Sequence, residues 1–259
     1  MTVLYLFSEK RLELSLDGPA LAVRKAGEAA RLFPLRRLER IHLDHRMEIS
    51  STVLLGCVRA GAILCFCDAR RRPLAWMLPP ASGGPLKPLV ERLTRRADWE
   101  EEYRRWSRRQ LHRIFGRLAS RFPGVDATDP RAVEREAVRR ALRHAGEADH
   151  RTTADWLATE AEGLFMKTLL TRGLAPEAAS VWAARLAPLL RWSAEAARLH
   201  WLARRHSYHR NRRLAVPPVT PKEFNGFLQS EAQALPEVAE ALLNRFELWL
   251  QEIEKGPEP

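Results

Sequence analysis

A glutamate on an apolar helical face is the first place where this sequence could do chemistry. Glu162 follows Ala158 by four residues and precedes Phe165 and Met166 by three and four, so these residues share one face of a predicted helix. An ionised carboxylate in apolar surroundings loses hydration unless it gains a partner, and otherwise its pKa rises. A divalent metal ion is one such partner and an arginine is another. The spacing leaves both interpretations open.

Further ligand types follow Glu162 along the chain. Three histidines, His200, His206 and His209, are followed by Glu223. A catalytic Mg²⁺ or Mn²⁺ needs at least three oxygen or nitrogen ligands to activate water and stabilise an oxyanion. With Glu162, a histidine such as His209 and the acid Glu223 could make up such a set. Without a complete set, we expect no cofactor.

A second chemical feature is an arginine-rich segment in the last quarter of the chain. Residues 204–213 contain five arginines and no acidic residue, with aromatic side chains between them. Guanidinium groups bind phosphates through paired hydrogen bonds and release counterions, while aromatic rings can stack on unpaired bases. We therefore predict DNA contacts from Arg191, Arg204, Arg205, Tyr208, Arg210, Arg212 and Arg213. The alternative is a solvated helix end and loop that binds the acidic C-terminal tail.

The composition limits the class of protein. The 259 residues are 46% apolar, which is enough for two modest domains and argues against global disorder. A net charge of +11 favours a polyanionic partner, most simply nucleic acid, although charge alone also fits a basic surface without a ligand. No apolar run is long enough to cross a membrane, and the N-terminus lacks a signal-peptide pattern. We therefore expect a cytoplasmic protein with no membrane partner.

The three cysteines, Cys57, Cys65 and Cys67, all fall in predicted core segments. An odd number of buried cysteines is typical of reduced, packed thiols, which agrees with a cytosolic protein. Cys65 and Cys67 have no second ligand pair at the spacing of zinc-binding motifs. The chain spacing therefore argues against a zinc site.

Two kinds of periodicity divide the chain. Residues 2–33 alternate as in hairpins, and apolar runs near Ile41 and over 62–67 have strand length. Between them, Ser50 and Ser51 can cap a short helix that Gly61 ends. Proline and glycine over 78–88 break both patterns, and helical spacing follows. We expect an α+β protein with a β-rich domain over 1–77, a linker over 78–88 and a helical domain over 89–255.

Several signals predict helix boundaries inside the helical domain. Asp129 is an N-cap candidate with Pro130 at the first helical position, and Thr152 begins a capping-box pattern. Pro188 predicts a kink or break. The apolar stripe from Leu235 to Ile253 indicates a final helix. Tryptophans recur at helical spacing, which indicates core packing rather than base stacking.

The β-rich part resembles a known family. Residues 3–76 contain Leu4-Tyr-Leu, then Pro34-Leu-Arg-Arg-Leu-Glu-Arg-Ile leading into a strand, then Ile49-Ser-Ser-Thr-Val-Leu, and finally Gly61-Ala and a strand ending at Asp68. This pattern resembles the N-terminal β domain of the CRISPR-associated integrase. Proteins of that family are the endonuclease subunits that insert spacers into CRISPR arrays during antiviral defence.

The resemblance carries expectations about activity and partners. It implies a metal-dependent DNA endonuclease and integrase that uses Mg²⁺ or Mn²⁺, a homodimer joined through the β domain, and a small ferredoxin-like partner subunit. Glu162-Gly163 resembles the segment that supplies the family's first metal ligand, which implies a catalytic role for Glu162. The family's histidine and aspartate motifs have no counterpart, and no aspartate follows Asp155.

Three hypotheses about function follow. The first is a DNA-binding integrase of this family that cuts or joins DNA. The second is a catalytically inactive DNA-binding or scaffolding homologue that retains the fold and the arginine-rich segment. The third is an RNA-binding accessory protein, and relative affinity for RNA hairpins and branched DNA would separate it from the other two.

Overall fold

The structure is a computed structural model that describes residues 2–7, 12–69, 73–80, 84–120, 125–126, 129–212, 215–230 and 234–255. The chain forms two compact units, residues 1–81 and 82–259, and each is described by itself. The first unit holds the strands and the second is helical. The expected α+β class, with a β-rich part followed by an α-helical part, is therefore confirmed.

The first unit contains two sheets. Its strands are β1 (Thr2–Leu6), β2 (Leu12–Asp17), β3 (Ala20–Lys25), β4 (Arg31–Pro34), β5 (Leu38–Asp44), β6 (Ile63–Cys67) and β7 (Pro73–Met77). The larger sheet has the order β1-β5-β6-β7, in which β1, β5 and β6 are parallel and β7 is antiparallel to β6. The smaller sheet is the antiparallel meander β2-β3-β4, and a 3-10 turn over Leu35–Arg37 leads from it into β5.

A short helix and a buried strand form the centre of this unit. Helix α1 (Ser51–Arg59) begins where the Ser50 hydroxyl accepts a hydrogen bond from the Val53 amide at 3.3 Å. Gly61 then adopts a positive φ of 89°, which ends the helix and starts the turn into β6. The helix packs closely on β2, because a Cβ added at Gly56 would lie 2.6 Å from the Leu16 side chain.

All regular elements in the described part of the second unit are helices. Its helices are α2 (Leu86–Thr94), α3 (Trp99–Ala119), α4 (Pro130–Thr171), α5 (Pro176–Asn211), α6 (Pro221–Ser230) and α7 (Leu235–Lys255). Helix α2 begins inside the predicted linker, so its first residues are helical. Aromatic side chains from α3, α5 and α7 stack in the core, with the rings of Trp106 and Trp249 centred 5.4 Å apart. No described helix is long and apolar enough to span a membrane.

One predicted helix start was wrong, and at a second position, predicted as a kink or break, the helix has no break. Helix α4 does not start at Thr152; its break lies at Gly146, whose φ of 72° and ψ of 172° are non-helical. Thr153 is inside the helix, where its hydroxyl donates to the Asp149 carbonyl instead of capping an end. Helix α5 continues through Pro188 without a division. Leu189 and Leu190 beside it are buried, and this packing offsets the cost of an interior proline, about 3 kcal/mol.

Candidate functional site

The C-terminal end of α5 presents positive charge to solvent. The side chains of Arg204, Arg210 and Arg212 are exposed, and Tyr208 beside them is 52% exposed. The Arg212 guanidinium lies over the Tyr208 ring, 4.5 Å from its centroid. These four residues are called the arginine-rich end of α5. They offer guanidinium groups and an aromatic face to a ligand in solvent.

Arg205 lies in the same stretch but has a different environment. Only 8% of its side chain is exposed, and its guanidinium donates to Glu223 at 3.2 Å and to the carbonyl of Pro217 at 2.6 Å. It also lies 3.5 Å from the Asp149 carboxylate. The predicted DNA contact from Arg205 therefore conflicts with its position, because its hydrogen bonds hold the segment after α5 against α4 and α6.

The two remaining predicted DNA contacts are not part of the arginine-rich end. Arg191 is partly buried, with its guanidinium 5.4 Å from the Trp192 ring centroid. Its Nε is buried and has no hydrogen-bond partner among the described residues. Arg213 lies outside the described residues.

Glu162 occupies the environment that its spacing predicted. Its side chain is half-buried on α4, and Phe165, Met166 and Leu169 on the same helix are fully buried. Within the described part of the chain, the carboxylate has no hydrogen bond or ion pair. Burial raises its pKa. An arginine partner is thus not found among the described side chains, and Glu162 remains a carboxylate that could bind a cation.

Glu223 caps a helix. Its carboxylate accepts hydrogen bonds from the amide and hydroxyl of Thr220, both at 2.8 Å, while the Thr220 hydroxyl accepts from the Glu223 amide. This reciprocal pattern is a capping box at the start of α6. Burial tends to raise the pKa of Glu223, but the hydrogen bonds from Thr220 and the charge of Arg205 lower it overall. Both oxygens of Glu223 therefore already have partners within the protein.

The structure does not assemble the predicted Mg²⁺ or Mn²⁺ ligands. Among the described residues, no group made of Glu162, His209 and Glu223 has its donor atoms all within 4.8 Å of one another. His209 contacts Tyr208 edge-to-face, and its Nδ1 is buried without a described hydrogen-bond partner. Because Glu223 is occupied in the capping box, these three residues do not fit a catalytic divalent ion in this conformation.

A buried polar network that the sequence analysis missed lies between α4 and α5. Arg198 is fully buried, and its guanidinium binds the carboxylate of Glu195, the hydroxyl of Thr153 and the carbonyl of His150. Burial, and then the charge of Arg198, lower the pKa of His150. Glu195 and Arg198 are three residues apart on one helical face, which is the sequence signal for the pair.

The first unit holds a second group of reactive side chains. His42 from β5 and Cys65 and Cys67 from β6 are all buried, and their ligand atoms lie within 4.8 Å of one another. A hydrogen bond from the Cys65 thiol, more than any other contact, lowers the pKa of Cys67 to about 6. Chain spacing gave no sign of this group, because the histidine comes from a neighbouring strand.

The N-terminal part of the sequence and the fold of the chain are similar to known proteins. Residues 4–110 match the family model described as CRISPR associated protein Cas1. A structure of a CAS1 protein from Thermotoga maritima superposes with a TM-score of 0.66 at 11% identity, covering 96% of this chain and 97% of the other. A casposase bound to integration product superposes with a TM-score of 0.64 at 12% identity, covering 100% and 92%. No curated protein matches significantly.

The family match and the fold similarity cover overlapping parts of the chain. The match covers all of the described strands except the start of β1, and it extends through α2 into α3. The fold similarity covers the helical unit as well. The resemblance read from residues 3–76 is thereby confirmed: the family match covers nearly all of that region, and almost the whole chain is similar in fold to a CAS1 protein and a casposase.

Proposed function

We propose that this protein binds DNA through the arginine-rich end of α5. The observation that carries the proposal is the exposure of Arg204, Arg210 and Arg212 at one helix end, where the Arg212 guanidinium lies over the Tyr208 ring. The similarity to a casposase described as bound to integration product supports DNA as the polyanion. Guanidinium groups would bind backbone phosphates, and the ring of Tyr208 would stack on an unpaired base at a branch or end.

Neutralising the exposed arginines should weaken DNA binding and reduce its salt dependence. We expect a triple variant, Arg204→Gln, Arg210→Gln and Arg212→Gln, to lose up to about eightfold in affinity per phosphate contact at about 0.1 M salt, because each contact contributes a slope of about 0.9. Arg205 is left unchanged because its partners are internal. Fluorescence anisotropy on branched DNA over a range of salt concentrations measures both quantities.

A matched control removes the same charge elsewhere. Arg104, Arg105 and Arg151 are exposed and ion-paired with Glu100, Glu101 and Glu147, and replacing them with glutamine should leave the salt slope nearly unchanged. Equal losses in the two triple variants would mean that only net charge matters and would remove α5 from the DNA site. Tighter binding of RNA hairpins than of branched DNA would favour the RNA-binding hypothesis instead.

We propose further that the protein acts as a DNA-binding scaffold, and not as an endonuclease. Support comes from Glu223, whose oxygens are engaged by Thr220 and Arg205. A second candidate, the metal-dependent integrase expected of the family, is favoured by one observation: Glu162 has no described partner and a raised pKa. Mn²⁺-dependent cleavage of branched DNA by the wild type and Glu162→Gln distinguishes the two.

We also propose a homodimer joined through the first unit. Leu32, Leu55 and Leu74 are large apolar side chains that are 55%, 48% and 60% exposed there. Burying them against a second copy would stabilise an interface of about 1,200–2,000 Å², the area typical of stable protein–protein interfaces. A cytoplasmic location and a small ferredoxin-like partner subunit remain proposals from the family resemblance.

Sedimentation equilibrium tests the dimer. We expect twice the chain mass at micromolar concentration, and a shift toward monomer in at least one of Leu32→Asp, Leu55→Asp and Leu74→Asp, because a charge at the interface core is costly. Leu248 on α7 is 57% exposed and serves as the control position. A wild-type monomer, or a dimer that only Leu248→Asp disrupts, would contradict the proposal.

A further inference from the structure

One face of the larger sheet carries a cluster of soft metal ligands. Strands β5 and β6 are parallel, and their register pairs His42 with Cys65 and Asp44 with Cys67. Because side chains alternate along a strand, His42, Cys65 and Cys67 share a face, while Ile41 and Leu64 point into the hydrophobic core on the other face. All three are buried, with exposures of 2%, 0% and 0%.

The distances in this cluster suit tetrahedral coordination. The sulfurs of Cys65 and Cys67 are 3.5 Å apart, and the Cys67 sulfur is 3.8 Å from His42 Nδ1. With Zn–S bonds of about 2.3 Å and a Zn–N bond of about 2.0–2.1 Å, a tetrahedron places two sulfurs about 3.8 Å apart and sulfur and nitrogen about 3.5 Å apart. One ion could therefore reach all three atoms without a large movement of either strand.

We propose that His42, Cys65 and Cys67 form a binding site for a thiophilic divalent cation, with zinc as the best fit. Two thiolates and an imidazole are the ligands that zinc favours, whereas Mg²⁺ and Mn²⁺ favour oxygen. Chain spacing argued against a zinc site. That expectation does not hold here, because the third ligand lies 23 residues before Cys65, on the adjacent strand.

A disulfide accounts less well for the two cysteines. Residues two apart on a strand have Cα atoms about 6.6 Å apart, from a rise of about 3.3 Å per residue. That separation is near the upper limit for disulfides, about 6.8 Å. Neither cysteine forms a disulfide in the structure. Two neighbouring thiols and a histidine on one buried face are better matched by a shared cation.

The surroundings define the rest of the site. The Tyr5 ring stacks on His42, with centroids 4.7 Å apart and planes 17° apart, so the plane of the imidazole is supported from one side. Asp44 is on the same face, but both of its carboxylate oxygens bind Arg46. Three protein ligands then leave the fourth position to a water molecule. The ion would join β5 to β6 and stabilise the first unit, separately from DNA binding by α5.

Cobalt substitution tests the site in the full-length protein. After chelator treatment, Co²⁺ should give a sulfur-to-cobalt charge-transfer band and tetrahedral visible bands at one equivalent, and Zn²⁺ should displace it. Cys65→Ser and Cys67→Ser should lose the charge-transfer band. Cys57→Ser is the matched control: Cys57 is also buried in the first unit, but burial raises its pKa to about 11 and it lies outside the cluster.

Thermal stability is a second readout, and its main comparison needs only the wild-type protein. Zn²⁺ should raise the midpoint of thermal unfolding of the chelator-treated wild-type protein, because an ion that binds only the folded state stabilises it. The midpoint of Cys67→Ser should not respond. Absence of a charge-transfer band in the wild type, or a band that survives in both Cys65→Ser and Cys67→Ser, would overturn the proposal.

Discussion

Replacing Arg198 with alanine should lower the free energy of unfolding by about 3–5 kcal/mol, because this removes one partner of a buried ion pair. The guanidinium is fully buried and donates to Glu195 at 2.9 Å and to Thr153 at 2.8 Å. Among the described residues, Arg198 is the ion-pair partner of the Glu195 carboxylate, which is 1% exposed, and the variant removes that counter-charge. Urea unfolding followed by tryptophan fluorescence measures the loss.

Two comparisons show whether burial is the cause. Arg105→Ala removes an exposed arginine paired with Glu101, and should cost no more than about 1 kcal/mol. The double variant Glu195→Leu with Arg198→Met removes both charges and should be more stable than Arg198→Ala alone, since no buried charge is left unpaired. If Arg198→Ala costs as little as Arg105→Ala, the network does not stabilise the fold.

The local elements of the first unit could be predicted because their signals are local. Ser50 and Gly61 fix the ends of α1 by capping and by a positive φ, and both act within a few residues. The strand after Gly61 follows directly from its apolar run. The pairing of β5 with β6 could not be predicted from periodicity, because register depends on contacts between distant segments.

The boundaries in the helical unit failed where packing outweighs local preference. Thr152 has the pattern of a helix start, but the helix begins earlier, after Gly146, and Thr153 is buried inside it. Pro188 removes one backbone hydrogen bond, yet its neighbours fill the core. In both cases burial outweighs the local signal, and a short sequence motif does not show which of its residues the fold will bury.

The candidate site shows the same limit. The arginine-rich segment looks uniform in the sequence, but the structure separates exposed Arg204, Arg210 and Arg212 from buried Arg205. The partners of Arg205 lie on α4 and α6, so only the fold distinguishes it. Glu223 has a local explanation that was missed, since Thr220 three residues earlier completes a capping box.

On branched DNA with Mn²⁺, we expect the wild-type protein and Glu162→Gln to be equally inert in cleavage and strand joining. The described residues do not bring a second and third ligand to Glu162, and Glu223 is engaged with Thr220 and Arg205. Both proteins should bind the DNA. Glutamine resembles the neutral carboxyl that burial already favours at this position, so the variant should fold normally.

The experiment uses Mn²⁺, Mg²⁺ and EDTA with the wild type, Glu162→Gln, His209→Ala and Glu223→Gln. Glutamine at 223 can keep the hydrogen bonds to Thr220, so a loss of activity there would not arise from an uncapped helix. Mn²⁺-dependent cleavage that Glu162→Gln abolishes would contradict the scaffold and establish Glu162 as a metal ligand. If His209→Ala and Glu223→Gln then stayed active, the other ligands would lie elsewhere.

The effect of Mn²⁺ on DNA affinity also separates a scaffold from an active integrase. An integrase that lost its metal site, but kept its DNA surface, should bind branched DNA with the same affinity in EDTA and in Mn²⁺. A metal site on the DNA path would instead tighten binding when Mn²⁺ is added, because the cation neutralises a carboxylate and contacts phosphate. Equal affinity in EDTA and Mn²⁺ for the wild type and Glu162→Gln is therefore the result expected of the scaffold. Wild-type cleavage that survives Glu162→Gln would remove Glu162 from any catalytic role.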